Sequence, residues 1–354
     1  MALLFCDGFD SYSATSDLTL GRFLSVGSLT YSSTAGRFGG SGIVIPNTSS
    51  IAGGTLKVIS GLSLSNTLFG GFWFKQTATP IYGFSSNNQG FGLPNNAGNG
   101  TLVSCQANTG FVQIGNIGNG TVLGTGSRFN VCDGQWHWIE FQIVFATSAT
   151  GSAKVWVDGI QEVNVSSVVT ITGGLTLNGY ATLYNMINGN LNSPFAVTTF
   201  DDLILWDNTG TAFNTAPLGP QRISTLVPNA DGDLTQFTPK SAGAHYLMVN
   251  GGYTSTNYVS DTGTGNVDLY KFPALSYSPA TVSAVVATYY GQNPGTGNVN
   301  LSPVLKTSGT QVSGTAQQLP NGTNAVYSKS WYADASGSAW TTASVNAMQL
   351  GIGD

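Results

Sequence analysis

Charge is what this sequence has least of. Asp, Glu, Lys and Arg make up 8% of 354 residues, against roughly 25% in an average soluble domain. The 11 Lys and Arg are scattered singly. No basic stripe exists to neutralise phosphates, so nucleic acid is excluded as an expected partner. Helical periodicity is almost absent before residue 210. No apolar run approaches the roughly 20 residues that span a bilayer, so no membrane insertion is expected. The start, Met1 to Asp7, lacks a basic leader and the roughly 7 to 15 apolar residues of a secretory signal. The expectation is a protein made in a bacterial cytoplasm that leaves by lysis or within a particle.

Reactive side chains are also few. Cys6, Cys105 and Cys132 are odd in number and have no metal-like spacing, so they read as small buried hydrophobes. The two glutamates, Glu140 and Glu162, fall in different strands and form no pair flanking a glycosidic bond. Asp201 and Asp202 are neighbours in a strand, which alternation sends to opposite faces. The two histidines, His137 and His245, stand far apart, with no Gly-x-Ser-x-Gly elbow. Asn229-Ala-Asp231-Gly-Asp233 begins like a calcium loop, but its twelfth position is Lys240 where a bidentate Glu is needed. Asp7, Asp10, Asp201 and Asp207 read as turn formers and strand-end caps before they read as a calcium rim. These absences set the expectation: no catalytic residue, no metal ligand, no cofactor, and a chain that is not an enzyme.

What is present is glycine, hydroxyls and aromatics. Hydrophobic residues are 41%, with 7 Trp, 14 Tyr, 18 Phe and 47 Gly, which is too much apolar matter for a disordered chain. Asp133 to Gly159 is the clearest stretch. Two runs of period-two alternation flank a small, polar loop at 146–152, which is a β-hairpin. Ile139, Phe141, Ile143 and Phe145 share one face with Ala153, Val155 and Val157 across the turn. Trp138, Glu140, Lys154 and Trp156 share the other. Short apolar runs at Phe91–Leu93, Leu102–Val103 and Phe111–Ile114 recur at sandwich spacing.

The predicted architecture is all-β: two antiparallel β-sandwich domains, the first spanning 1–209 and the second 218–354, with 210–217 as linker. In the second domain strands are predicted at Ala244–Val249, Val267–Phe272, Val282–Tyr290, Val299–Lys306 and Ala325–Trp331. A short C-terminal helix is predicted over 341–351, capped by Thr341 or Thr342 and stopped by Gly351.

Asp133-Gly-Gln-Trp136-His-Trp138, together with Val155-Trp-Val157-Asp158-Gly159, resembles the concanavalin A-like lectin/glucanase superfamily, including laminin-G-like domains. Phe5-Cys-Asp7-Gly8-Phe9-Asp10 and Phe200-Asp-Asp202-Leu-Ile-Leu-Trp206 look like the first and last strands that pair in that fold. The resemblance implies a jelly roll over residues 1–209. The family's catalytic Glu-x-Asp-x-x-Glu cluster and its clustered lectin metal ligands are absent. In the second half, Gly219-Pro-Gln-Arg222 through Asp231-Gly-Asp233, Asp268-Leu-Tyr270 and Ala339-Trp340-Thr-Thr-Ala-Ser-Val345 look like segments of tailed-bacteriophage virion proteins.

The resemblance implies a non-enzymatic structural component of a phage particle, exposed on the virion at the tail or neck or as a capsid decoration. Its expected partners are other virion proteins, copies of itself and host surface glycans bound weakly. Trp138 and Trp156, on the non-core side of neighbouring strands, are the candidate glycan-binding residues, because an open ring stacks on a sugar. The alternatives are a free carbohydrate-binding lectin module and a polysaccharide depolymerase.

Overall fold

The computed structural model describes residues 3–45, 52–56, 67–77, 89–94, 99–106, 108–117, 120–173, 181–185, 197–253 and 256–354. The chain forms two compact units, Met1–Ile223 and Ser224–Asp354. All the pairings between named strands are antiparallel in both.

The first unit is a jelly-roll sandwich of two sheets. One runs β13 (Ile160–Val168), β12 (Gly151–Val157), β11 (Trp136–Val144), β6 (Thr67–Gln76), β15 (Thr198–Asp207), β4 (Gly42–Ile45) and β3 (Thr30–Ser32), with β1 (Leu3–Asp7) also paired to β15. The other runs β10 (Val122–Asn130), β9 (Phe111–Asn116), β8 (Gly100–Cys105), β7 (Gln89–Pro94), β14 (Ala181–Asn185), β5 (Ala52–Leu56) and β2 (Phe23–Ser25). A short helix, α1 (Thr15–Leu20), follows β1.

The Asp133–Gly159 stretch is the expected hairpin, β11 against β12, with Phe141 opposite Val155. The first and last strands of the unit pair as expected, Phe5 opposite Leu205 and Asp7 opposite Leu203. The turn from β12 into β13 is the two-residue Asp158-Gly159, with φ of 51° and 82°. Both positions are left-handed, as a type I′ hairpin requires.

Rings interdigitate between the sheets. Phe91 of the second sheet lies 5.5 Å from Phe141 and 5.8 Å from Phe72 of the first. Phe200 packs on Phe72 and Phe74. Fully burying one such ring contributes about 1.5–3 kcal/mol. Consecutive glycines at the centre of β6 make this packing geometrically possible. A Cβ on Gly70 would lie 2.3 Å from the Phe141 ring, and one on Gly71 would lie 2.3 Å from the Trp138 ring. Successive positions face opposite ways, so one glycine seats a core ring and the other an outer ring.

The second unit has a sheet ordered β16 (Ala230–Thr235), β19 (Val267–Lys271), β25 (Gln349–Gly353), β21 (Asn300–Thr307) and β22 (Thr310–Ser313), with β23 (Gln317–Gln318) also on β21. Two ribbons accompany it: β17 (Thr238–Pro239) with β18 (Val259–Ser260), and β20 (Val285–Gly291) with β24 (Ala325–Trp331). Val285 and Trp331 of the second ribbon share a core with Leu305 and Leu350 of the sheet and Val345 of helix α3 (Thr342–Ala347).

Two expectations fail here. Residues 244–249 are not a strand: Tyr246–Val249 is a short helix, α2. Its first turn is held by Asp231, whose Oδ1 accepts from the Tyr246 N–H at 2.7 Å. The C-terminal helix is capped by Thr341 as expected, but it ends at Ala347, and residues 349–353 form a central strand. Pairing with β19 on one side and β21 on the other satisfies that backbone better than further helical turns.

Overpacking follows from the glycine pair. Gly71→Ala is expected to lower the unfolding free energy of the first unit by about 1–3 kcal/mol. Gly251→Ala, which meets nothing within 4 Å, is expected to stay within about 0.5 kcal/mol of the parent. Urea denaturation of both variants measures the difference.

Candidate functional site

The outer face of the first sheet was the place to look for an open aromatic platform. It is closed. Trp138 is 0% exposed and Trp156 is 5% exposed, so neither ring offers a face to a sugar, and the glycan assignment to Trp138 and Trp156 is corrected. Trp73 packs edge-on against Trp138 at 5.5 Å, and Phe69 stacks on Trp206 at 5.6 Å. These rings form a second aromatic layer on the side away from the core.

A strap made of residues 215–223 lies on this layer. Trp206 Nε1 donates to the Thr215 carbonyl at 3.0 Å, and Trp73 Nε1 donates to the Gln221 carbonyl at 2.8 Å. Glu140 is 0% exposed. Its carboxylate accepts from Leu218 N–H at 2.5 Å, Gly219 N–H at 3.0 Å and Trp138 Nε1 at 3.1 Å. Burial pushes the Glu140 carboxyl above its ordinary pKa, against the pull of those three donors. Asp202 closes the strap by accepting from Ile223 N–H at 3.0 Å. The anchors sit on β11, β6 and β15, which are adjacent in the sheet.

Residues 210–217, expected as a linker, therefore include strap positions tied to the first unit, and the division between units falls at Ile223/Ser224. Sequence reasoning missed the strap because Pro217-Leu-Gly-Pro220 reads as loop. A signal was available: several tryptophans on the non-core side of adjacent strands need something to cover them.

At one rim of the sheet the strap meets an acidic and aromatic cluster. Arg37 lies 3.7 Å from the Trp73 ring and 4.4 Å from the Phe38 ring, and Arg222 lies 4.3 Å from Phe38. The Arg37 Nε is buried and has no hydrogen-bond partner. Burial lowers the Arg37 pKa, against the opposing charges of Asp202, Asp158 and Asp201.

The expectation that Asp201 and Asp202 face apart is corrected. The register shifts between Asp201 and Ile204, and Asp202 has φ of 49°, so the strand's alternation breaks there. The Asp201 carboxylate accepts from Arg37 N–H at 2.7 Å and from Asp202 N–H at 2.8 Å. Burial pushes Asp201 up to about 6. Burial, and then the neighbouring Asp201 charge, push Asp202 up to about 9. Asp7 and Asp10 are occupied locally: Asp7 accepts from Phe9 N–H and Tyr12 OH, and Asp10 from Ser41 N–H. Among the described residues no three His, Cys, Asp or Glu side chains gather into a metal site.

Both histidines are held by carboxylates. His137 has Asp158 2.8 Å from Nδ1 and Asp133 3.2 Å from Nε2. Burial pulls the His137 pKa down, but the two aspartates outweigh it and raise the value. Asp158 also accepts from the Trp138 backbone N–H, so the pair fixes the start of β11. In the second unit, Asp268 is 0% exposed. It accepts from Phe237 N–H and Tyr270 OH and lies 2.7 Å from His245 Nδ1. The calcium-loop look of Asn229–Asp233 dissolves: Asp231 caps α2, and Asp233 pairs with Lys306 at 2.7 Å.

Neither a protein-family model nor a curated protein matches the sequence. Similar solved structures include the endo-β-1,4-glucuronan lyase of the fungus Trichoderma reesei, 18% identical, covering 51% of this chain and 87% of that one, with a TM-score of 0.39. Alginate lyase Aly36B is 13% identical over 57% of this chain and 95% of that one, with a TM-score of 0.41. The binding domain of Paraclostridial Mosquitocidal Protein 1 is 8% identical over 77% and 75%, with a TM-score of 0.42. What these proteins share with the chain is fold. Two of them are named as lyases, at a likeness that carries no activity over to this chain, and the expectation of a chain that is not an enzyme is withdrawn. That expectation tested for a glycosidase carboxylate pair and a Ser–His arrangement, which are requirements of hydrolases.

The rim makes stability depend on pH. Between about pH 4 and about 9 the folded chain keeps a proton on Asp202 that the unfolded chain has released. Stability from this group therefore falls as pH rises through that window. Asp202→Asn, which tolerates the left-handed backbone, is expected to flatten the decline, as measured by urea denaturation at pH 5, 7 and 9. An unchanged slope would remove Asp202 as its source.

Proposed function

We propose that this chain is a saccharide-directed component of a bacteriophage particle, exposed on the virion at the tail or neck or as a capsid decoration. The observation that carries the reading is an all-β chain with only 8% charged residues. Its polar surface is hydroxyl and amide, which exchanges hydrogen bonds with glycan hydroxyls without stripping water from ions. Saccharide is also the class that the names of the two lyases give for those proteins' substrates. The virion part rests on the phage-like segments of the second half. On a particle the chain meets other virion proteins and copies of itself, and repetition turns weak glycan contacts into firm attachment.

A purified particle analysed by mass spectrometry is expected to contain the chain at structural copy number, and its absence would refute the virion part. A glycan array probed with the full chain is expected to show binding to hexose polymers, and a blank array would refute the saccharide part.

A second reading, cleavage of an acidic polysaccharide by elimination, is favoured by His245. Asp268 holds its Nδ1, which leaves Nε2 to take or give a proton. Glucuronan and alginate incubated with the full chain would then yield unsaturated chain ends visible by ultraviolet absorbance. His245→Gln would abolish them. No product from either polymer defeats this reading.

A further inference from the structure

An edge strand leaves a row of N–H and C=O groups ready to pair with another chain, and folds blunt such edges with charge, proline, bulges or short length. Most edges here are blunted. β2 and β3 have three residues each. β10 carries Arg128 and β13 carries Glu162, whose carboxylate accepts from the Ser127 and Arg128 N–H groups of β10. In the second unit β22 has four residues. β16 carries Asp231 and Asp233, and its register against β19 shifts between Asp231 and Thr235.

β20 lacks every one of these devices. Val285-Val-Ala-Thr-Tyr-Tyr-Gly291 is seven residues without charge or proline. It pairs with β24 in unbroken register, from Val285 opposite Trp331 to Gly291 opposite Ala325. Val285 and Trp331 anchor one face of the ribbon in the core of the unit. Among the described residues no backbone group pairs with the other edge of β20. The ribbon therefore stays a sheet of two strands, whereas stable sheets generally need three or more. The opposite edge of the ribbon, β24, carries Lys329.

The open edge is complementary to itself. Run antiparallel about a two-fold axis at Thr288, Val285 faces the partner's Gly291 and Ala287 faces the partner's Tyr289. On that face, the core side, each larger residue meets a smaller one. Val286 faces the partner's Tyr290 on the other face, a β-branched and aromatic pair of the kind that stabilises sheets. Thr288 faces the partner's Thr288. The pairing also closes: both open edges are used, and the joined sheet ends in two β24 strands blunted by Lys329.

We propose that β20 is a self-association edge, on which two copies of this chain join their ribbons into one antiparallel four-stranded sheet. This rests on the particle reading, in which copies of the chain meet, and names the strand that joins them.

Sedimentation velocity of the full chain tests it. The wild type is expected to sediment as a dimer. Thr288 is exposed, so Thr288→Lys leaves the fold intact, as circular dichroism checks. It sets two like charges opposite each other, and dimerisation is expected to weaken roughly tenfold or more. Thr288→Glu is expected to do the same, and an equimolar mixture of the two variants to restore the dimer. Thr310→Lys, on the exposed start of β22, is expected to leave it unchanged. Amide exchange of the wild type gives a second reading that needs no variant: protection of residues 285–291 is expected to fall as dilution dissociates the dimer. A monomeric wild type overturns the proposal, as does a dimer that survives Thr288→Lys or that Thr310→Lys dissolves. Protection of 285–291 that ignores dilution overturns it too. A mixture that stays monomeric overturns the pairing at Thr288. A dimer with these properties in a chain absent from the particle defeats the particle reading and leaves the edge standing.

Discussion

The buried carboxylate of Glu140 is the constraint on which the first unit turns. A fully buried carboxylate is strongly disfavoured unless hydrogen bonds replace its water. Trp138 Nε1 supplies one, and the other two come from the Leu218 and Gly219 backbone. A segment rich in Gly and Pro is thereby fixed across the sheet. Once fixed, its carbonyls take the Trp73 and Trp206 indole donors, and its end meets Asp202. The strap and the aromatic layer satisfy each other. Neither side would be stable alone, because the strap lacks a strand pattern and the indole N–H groups would be buried without acceptors.

The same economy shapes the rim. Because the strap ends on Asp202, that carboxylate loses solvent, and the bulge beside it brings Asp201 close enough to matter electrically. The cluster is a consequence of closing the face. Its aspartates are spent on backbone N–H groups of the 36–41 loop and the strap. The result is acidic in composition, yet most of its carboxylate oxygens already hold protein donors.

Strand-level pattern was legible in the sequence because it is local. Alternation in residues 139–145 and 153–157 marked the core face, and Asp158-Gly159 marked its turn. Ala325–Trp331 was read to the residue. What was not legible depended on distant partners. Residues 349–353 are a strand only because β19 and β21 flank them, and 246–249 are helical because Asp231 caps them. Asp201 and Asp202 defied alternation because a bulge interrupts it. The tryptophans were read correctly as outward, but whether a loop or a sugar lay on them was not legible, since period-two patterning tells which way a ring points and nothing of what lies on it.

The outer face of the first sheet is closed by its own hydrogen bonds. A face whose indoles and carboxylate are mutually satisfied gains nothing by opening, since exposing Glu140 would forfeit two backbone hydrogen bonds and uncover four aromatic rings.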